Sequence, residues 1–422
     1  MSRFKYELAN DFDRAWLNFE LDLPLLPERD GTPNPFYLLR PENTLRRLID
    51  ELISPFYMPP KIFISGHRGT GKSTELKHLL ANQNIQQKFW ATNFSIREEA
   101  DIIDLDLQDI LFAMGSRLYR DYKKAGGVLP AQLLKELETW RGDVEVEIKK
   151  ASGKIVESEI SAGIDAFFLS TGVKLKLEPD SRKTIRQVLK PRTQELIMVI
   201  NKIAQGIYAQ ERRIPMIIID DLDKIDLQVS RKIFGEYIDI LLSPRCAIIY
   251  VTTMASFYSN EFDNFRDRAY FLPAVKLHER EDKEKVYLPG YQMLKSIIET
   301  RMSLDLITKE ALDAAIKYSG GIVREEIRLM RSAIGKARRE KHNQVLISDV
   351  MWAVLEIKNE YERILDNEDL DTIKGVVSGT KHMTDRVRPL MQLLAILEYL
   401  DNDGNRWFET HPVLEETVKE FK

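Results

Sequence analysis

One stretch of the chain contains the residue types and the spacing that phosphate binding requires. An apolar run at Ile62–Ile64 leads into Gly66-x-x-x-x-Gly71-Lys72-Ser73, and helix-forming sequence follows. In such a loop, backbone N–H groups surround the phosphates of a nucleotide, and the N-terminus of the next helix adds its own donors. Lys72 is expected to reach the β- and γ-phosphates, and the Ser73 hydroxyl to bind Mg²⁺. The sequence therefore predicts a nucleoside triphosphate site.

The whole loop is expected to contact the nucleotide. Glycines allow its backbone to approach an anion closely, and the helix that follows directs its positive dipole end to the same place. The expected nucleotide-binding residues are Gly66, His67, Arg68, Gly69, Thr70, Gly71, Lys72, Ser73 and Thr74.

Carboxylates at the end of a second apolar run supply the other half of the expected chemistry. The run Ile214–Asp220 continues into Asp221 and, two residues later, Asp223. In phosphate-loop folds an acidic residue at such a strand end organises Mg²⁺. Asp220 is expected to hold Mg²⁺ through water, and Asp221 or Asp223 to polarise the attacking water. The alternative is an ordinary solvated acidic loop.

Alternating strand and helix patterns position these motifs. Continuous apolar runs are typical of parallel strands that are covered on both faces, and amphipathic helices separate them. A helix capped by Asn43 is expected before the first strand. The expected strands are Ile62–Ile64, Phe89–Ser95, Ile214–Asp220, Cys246–Thr253 and Ala269–Leu277. This order predicts an α/β domain with a mostly parallel sheet.

Residues 125–190 form the least regular part of the pattern. Val144–Ile148 and Lys174–Glu178 alternate between apolar and charged residues, which predicts short, half-exposed strands. We interpret this region as an irregular insertion in the α/β domain.

The remainder of the chain is predicted to be mainly helical. Helices are expected at Tyr291–Met302, Thr308–Ser319, Val323–Lys341 and Ser348–Arg363. Residues 364–380 are expected to form a linker. A core helix at Leu390–Leu400, a strand at Arg406–Phe408 and a last helix from Pro412 would then form a small C-terminal module. The expected domains are 1–285, 286–363 and 381–422.

The composition excludes several classes of protein. The net charge of −4, from 62 basic and 66 acidic residues, gives no overall attraction to nucleic acid or to anionic membranes. The single cysteine, Cys246, excludes an intramolecular disulfide framework and favours a cytoplasmic location. No apolar run approaches the roughly 20 residues that span a bilayer, so no membrane association is expected.

Together these motifs resemble the AAA+ and STAND-type P-loop ATPases, especially the origin-recognition-like branch and related bacterial proteins. The resemblance is carried by Gly66–Ser73, Asp220–Asp223, the strand ending in Thr252 and Thr253, and Gly320-Gly321-Ile-Val-Arg324-Glu325. It implies a P-loop NTPase fold with a three-layer parallel sheet, followed by an all-helical lid and a winged-helix-like C-terminal module. It also implies ATP and Mg²⁺ as cofactors.

The resemblance assigns roles to further residues. Thr252 or Thr253 would sense the γ-phosphate, with Thr253 the chosen catalytic candidate, and Arg324 would be a second sensor at the start of a lid helix. Arg266 and Arg268 lie where the family has an arginine finger. The family usually has Asp-Glu where this chain has Asp220-Asp221, and the shorter second carboxylate suggests slow hydrolysis.

These expectations leave three functions open. The first is an ATPase that acts as a molecular switch and controls self-association or a protein partner, a class in which several bacterial members serve in antiviral defence. The second is an ATP-gated DNA-binding protein of the replication-initiator type. The third is a scaffold that binds nucleotide without turnover. The C-terminal module has mixed, partly acidic charge, which argues against strong contacts with DNA phosphates.

Overall fold

The chain divides into two compact units. In this computed structural model the described residues are 4–28, 31–42, 44–152 and 163–421. The loop unit, named for the expected phosphate loop, consists of Met1–Leu48, Gly66–Asn82 and Phe271–Lys422. The sheet unit, named for the largest sheet, consists of Ile49–Ser65 and Gln83–Tyr270. Asn43, the expected helix cap, lies outside the described residues.

The strands of the described residues form one large sheet and two hairpins. They are β1 (Lys61–Gly66), β2 (Phe89–Ser95), β3 (Ile214–Asp220), β4 (Ala247–Val251), β5 (Ala269–Leu272), β6 (His278–Glu279), β7 (Asp282–Val286), β8 (Ile396–Leu400) and β9 (Arg406–Thr410). The large sheet has the order β2-β3-β4-β1-β5, and β1 to β4 pair in parallel. The pairs β6–β7 and β8–β9 are antiparallel.

Helices connect and cover these strands. They are α1 (Phe12–Asn18), α2 (Thr44–Ile53), α3 (Lys72–Ala81), α4 (Gln83–Lys88), α5 (Ile96–Glu99), α6 (Leu107–Lys124), α7 (Ala131–Ala151), α8 (Ile164–Leu177), α9 (Pro179–Leu189), α10 (Thr193–Glu211), α11 (Leu227–Arg231), α12 (Ile238–Leu242), α13 (Met254–Phe257), α14 (Leu288–Arg301), α15 (Lys309–Tyr318), α16 (Val323–Glu340), α17 (Ile347–Glu362), α18 (Asn367–Val377), α19 (Val387–Gln392) and α20 (Glu415–Glu420). Among the described helices, none combines the length and the apolarity that crossing a membrane requires.

The large sheet confirms the predicted α/β class. All side chains of β1 and β4 are buried, as are the five central residues of β3, because parallel strands are covered on both faces. Tyr250 of β4 is fully buried, and its hydroxyl donates to the carbonyl of Leu241, 2.8 Å away. The predicted strands at 89–95 and 214–220 have the bounds of β2 and β3.

The two strands predicted between residues 125 and 190 are wrong. Val144–Ile148 lies inside helix α7, and Lys174–Leu177 ends helix α8. In α7 the buried positions include Leu137 and Val144, which are two helical turns apart, so the short alternating run belongs to a longer helical pattern. The described residues of this region form the helices α7 to α9, and residues 153–162 lie outside the described residues.

The four helices predicted between residues 288 and 363 are confirmed as α14 to α17, with ends that differ by up to three residues. In the loop unit α16 packs against α17 and α1. A Cβ atom at Gly335 of α16 would lie 2.6 Å from the Trp16 ring of α1, so a glycine is required for this close approach. The Arg331 guanidinium lies over the same Trp16 ring, with its Cζ atom 4.3 Å from the ring centre.

Two predictions near the C-terminus are wrong. Residues 367–377 form helix α18 instead of a linker, with Asp366 and Asp369 as a capping box and Ile373 buried. The core helix predicted at Leu390–Leu400 ends at Gln392, and strand β8 begins at Ile396. A short apolar run does not distinguish a buried strand from a buried helix.

The strand predicted at Arg406–Phe408 is confirmed as part of β9. Helix α18 packs against β9, α19 and α20, so we describe residues 367–420 together as the C-terminal module.

The charge of Glu326 provides a test of packing within the loop unit. Glu326 is fully buried in α16, and neither carboxylate oxygen has a hydrogen-bond partner among the described residues. Burial therefore raises its pKa well above 4.5, against the opposing effect of the nearby Arg301 charge. The folded chain binds the Glu326 proton more tightly than the unfolded chain does. The free energy of unfolding therefore falls as the pH rises above the pKa that Glu326 has in the unfolded chain.

We predict that Glu326→Gln stabilises the protein by about 1 kcal/mol at pH 8 and by less at pH 5, because the amide has no charge to bury. Chemical denaturation at the two pH values measures the difference. Glu340→Gln is the matched control, since Glu340 lies on the same helix but is exposed and pairs with Lys336. Equal effects of the two substitutions at pH 8 would contradict the prediction.

Candidate functional site

The predicted phosphate loop lies between β1 and α3 and depends on its glycines. Gly69 and Gly71 have φ values of 86° and 97°, in the left-handed region that side chains disfavour. A Cβ atom at Gly66 would lie 2.2 Å from the Leu272 carbonyl oxygen, and one at Gly69 would lie 2.7 Å from the Cβ of Arg324. Substituting either residue would therefore force the backbone to move.

The Lys72 ammonium group lies inside this loop. Its Nζ donates to the carbonyl oxygens of Gly66, at 2.9 Å, and His67, at 3.0 Å, and the residue is only 6% exposed. Ser73 and Thr74 follow in the first turn of α3, both partly exposed. The loop thus surrounds a buried positive charge with backbone dipoles at a helix N-terminus, an arrangement that attracts phosphate.

His67 attaches the loop to the C-terminal module. Its Nδ1 lies 3.3 Å from the carbonyl oxygen of Met391, and its Nε2 accepts the backbone N–H of Glu398 at 2.7 Å. These partners require the neutral tautomer with the proton on Nδ1. Complete burial lowers the pKa of His67 to about 3, and the charge of Lys72 contributes to the lowering. His67 therefore stays neutral at physiological pH.

Arg40 is a loop contact that the sequence did not reveal. Its guanidinium donates to the carbonyl oxygens of Thr70, at 2.5 Å, and Pro273, at 2.6 Å, and it also pairs with Glu42. The hydroxyl of Thr70 donates to the His67 carbonyl within the loop. Arg40 has no motif around it that could have predicted this contact, because its partners are backbone atoms distant in the chain.

Arg324, the expected second sensor, contacts the loop through its backbone. Its N–H donates to the Gly69 carbonyl oxygen at 3.1 Å. Its guanidinium extends to Asp22, 3.0 Å away, in an exposed ion pair that is weak in water. Arg68 and Arg324 both line a cavity of about 370 Å³ within the loop unit. The Arg324 side chain is thus close to the loop and weakly held.

The expected acidic residues lie at the end of β3 in the sheet unit. Asp220 accepts the N–H of Asp221 at 2.8 Å, and Asp221 has a left-handed φ of 66°. The Asp221 carboxylate accepts a hydrogen bond from Ser95, at the end of β2, and pairs with Lys224. Burial raises the pKa of Asp221, but the bonds from Lys224 and Ser95 outweigh it and lower the pKa below its ordinary value.

Ser95, which donates to the Asp221 carboxylate, is a second residue that the sequence analysis missed. It ends β2, which pairs with β3 in a register that places Ser95 opposite Asp220. Because parallel strands end at the same edge of a sheet, a polar residue ending β2 was the signal that could have found it. Asp223 lies in the 3₁₀ turn Leu222–Lys224 that follows.

Thr252 and Thr253 follow β4 and have different environments. The Thr253 hydroxyl caps α13, accepting the N–H of Ser256 at 3.1 Å, and bonds to the Ser230 hydroxyl. Thr252 is fixed by its backbone, which pairs with Ile64 and with the Ser65 hydroxyl. Its own Oγ1 is buried and has no hydrogen-bond partner among the described residues. Of the two hydroxyls, that of Thr252 is therefore the one that no described residue engages, whereas that of Thr253 caps α13.

The two arginine-finger candidates lie in a 3₁₀ turn before β5. Arg266 pairs with Asp263 at 3.0 Å, and its side chain is 62% exposed. Arg268 is also exposed. The finger role of Arg266 and Arg268 stays a prediction.

Comparisons with known proteins give likenesses of structure only. No family model matches the chain, and no curated protein is significantly similar to it. Among solved structures, Cdc6p from Pyrobaculum aerophilum is 11% identical with a TM-score of 0.42, and the match covers 96% of this chain and 97% of that one. The ADP form of the ORC2 protein from Aeropyrum pernix is 13% identical with a TM-score of 0.43, over 96% and 97%.

The RuvB Holliday junction branch migration motor of Thermotoga maritima is 13% identical with a TM-score of 0.35, over 90% of this chain and 93% of that one. These identities and TM-scores support no residue role in this chain. The functional assignments therefore rest on the residues described above.

We predict that Gly69→Ala destabilises the protein by about 2–4 kcal/mol. An alanine at this position would have a strained, positive φ, and its methyl group would collide with Arg324. Gly404→Ala is the matched control, since Gly404 has a φ of 85° and nothing within 4 Å of its added Cβ. The control carries only the conformational strain, about 1 kcal/mol. Denaturation midpoints of the two variants that agree would contradict the predicted collision.

Proposed function

We propose that the protein binds Mg·ATP at residues 66–74 and hydrolyses it slowly, as a molecular switch. The observation that carries the proposal is the Lys72 ammonium group held by the carbonyls of Gly66 and His67 inside a glycine loop. A buried cation that is surrounded by backbone groups at a helix start can exchange its carbonyl partners for phosphate oxygens.

The residues present fit a magnesium ion. Mg²⁺ prefers oxygen ligands and is commonly held by one or two protein groups together with phosphate oxygens and water. The Ser73 hydroxyl and the Asp220 carboxylate are such groups, and we assign them to the metal. When bound, Mg²⁺ neutralises charge on the phosphates.

Asp221 is proposed to orient the attacking water. Its carboxylate is held by Ser95 and Lys224, so its position is defined. The same contacts lower its pKa, and a carboxylate with a low pKa is a weak proton acceptor. The short side chain and the weak basicity both favour slow hydrolysis, which suits a switch better than a motor.

The proposed output is control of self-association or of a protein partner. Arg324 would exchange its exposed partner Asp22 for the nucleotide and so report which nucleotide is bound. A cytoplasmic location and a role in antiviral defence, of the kind known for STAND-type ATPases, extend this proposal.

The DNA-binding alternative receives no support from the basic helix α16. Its cations are largely engaged within the loop unit: Arg328 pairs with Glu360, Arg331 with Glu20, and Lys336 with Glu340. Arg338 pairs with Asp13, and Arg339 lies over the Trp352 ring. Because neighbouring carboxylates already partly neutralise most of these cations, the helix presents no strongly basic face that favours DNA phosphates.

We predict that Lys72→Ala weakens binding of Mg·ATP at least about 100-fold, because a buried charge-assisted contact to phosphate is lost. Isothermal titration calorimetry measures the dissociation constant. Lys77→Ala is the control, because Lys77 lies on the same helix α3 outside the loop. Tight binding by the Lys72 variant would overturn the proposed function.

We predict that Thr252→Val lowers ATP turnover without loss of stability, because it removes only a hydroxyl that has no described partner. Thr253→Val should instead destabilise the protein by about 1 kcal/mol, since it removes the cap of α13. Phosphate release and thermal unfolding are measured on both variants. Unchanged turnover in Thr252→Val would remove this residue from the site, and no turnover in the wild type would favour the scaffold alternative.

A further inference from the structure

A buried imidazole connects the phosphate loop to the C-terminal module within the loop unit. His67, the second residue of the loop motif, is completely buried and bonds to Met391 through one ring nitrogen and to Glu398 through the other. A loop residue that contacts only nucleotide would need no such partners. The imidazole instead joins the loop to the end of α19 and to β8.

The edge of β8 is shaped to receive this side chain. Glu398 donates its N–H to His67 and accepts the N–H of Ala274 on its carbonyl oxygen, at 3.3 Å. Both of its backbone groups therefore bond outside the β8–β9 hairpin. Without His67, a buried N–H of β8 would lose its partner, which costs free energy.

Apolar contacts hold the same module at the start of helix α16. Leu394, Leu397, Tyr399 and Trp407 form a buried cluster with Ala274 and Ile322. The Tyr399 hydroxyl donates to the Gly320 carbonyl oxygen at 2.7 Å. These contacts keep β8 in place, so the imidazole meets a fixed partner and restrains the loop.

We propose that His67 is a positioning residue that holds the phosphate loop in its binding conformation by anchoring it to the C-terminal module. The inference rests on the proposed function and extends it. The contact between His67 and the C-terminal module and the affinity of the loop for nucleotide are thermodynamically coupled. A loop that is ordered before binding loses less entropy when the nucleotide arrives, so it binds more tightly. Because such coupling is reciprocal, bound nucleotide must also stabilise the contact at β8.

The first test compares Mg·ADP affinity among three proteins by calorimetry. His67→Ala should bind about tenfold more weakly than the wild type, as expected for a lost buried hydrogen-bond pair. His67→Gln should recover most of the affinity, because its amide carries both a donor and an acceptor. Unchanged or tighter binding by His67→Ala would overturn the proposal.

The matched control is His278→Gln. His278 also contacts the C-terminal module, through Glu409 of β9 at 3.1 Å, but it has no contact with the loop in the described residues. This variant should change the Mg·ADP dissociation constant less than about twofold. A tenfold weakening by His278→Gln would show that any loosening of the module has the same effect and would contradict a specific role for His67.

Hydrogen exchange supplies a measurement that would not change if His67 had only a structural role. In the wild type, Mg·ADP should slow exchange in peptides covering β8, by about the factor that separates the two affinities. In His67→Ala this slowing should disappear while Mg·ADP still binds at saturating concentration. Equal slowing in both proteins would overturn the proposal. If His67→Ala fails to fold, the wild-type response of β8 decides: no slowing contradicts the coupling.

The two proposals fail in different ways. Absence of Mg·ADP binding to the wild-type chain would overturn the proposed function itself. Binding that is lost in Lys72→Ala but equal in the wild type and both His67 variants would leave that function intact and overturn only the role of His67.

Discussion

A buried ammonium group surrounded by backbone carbonyls is the interaction on which the loop unit depends. Lys72 needs oxygen partners because an unpaired charge away from water is costly, and Gly66 and His67 supply them. The backbone turns around the ammonium group with Gly69 and Gly71 in left-handed conformations, which glycine adopts at low cost. Contacts outside the loop then hold this backbone: Arg40 at Thr70, Arg324 at Gly69, and the module at His67. The result is a buried positive charge inside a backbone that contacts from several parts of the loop unit hold in place.

The sheet unit contributes groups of a different character. The edge where β2, β3 and β4 end carries Ser95, Asp220, Asp221 and Thr252, as expected for parallel strands. The carboxylate of Asp221 is fixed and kept ionised by its neighbours, which defines its position but weakens it as a base. A carboxylate with a defined position and a low pKa is better suited to orient a polar group than to accept a proton.

Sequence patterns were reliable where a motif or a long periodic segment produced them. The helices α14 to α17 have strong helical periodicity, the strand β3 is a continuous apolar run that ends in the acidic motif, and their types were predicted correctly. Short apolar or alternating runs misled, because Val144–Ile148 and Leu390–Leu400 each match two secondary structures locally. Packing against the rest of the chain decides such cases: α7 buries Val144 against the helices around it, whereas β8 pairs with β9.

The sequence by itself determined the phosphate loop and the acidic end of β3, because spacing along the chain alone places glycines, lysine and carboxylates next to a strand end. Only the tertiary structure showed that, among the described residues, the Thr252 hydroxyl has no hydrogen-bond partner while that of Thr253 caps a helix, since capping depends on where α13 begins. It also decided the role of His67, whose partner Met391 lies 324 positions away. Hydrogen bonds to distant backbone atoms do not depend on the partner's side chain, so they leave no pattern in the sequence.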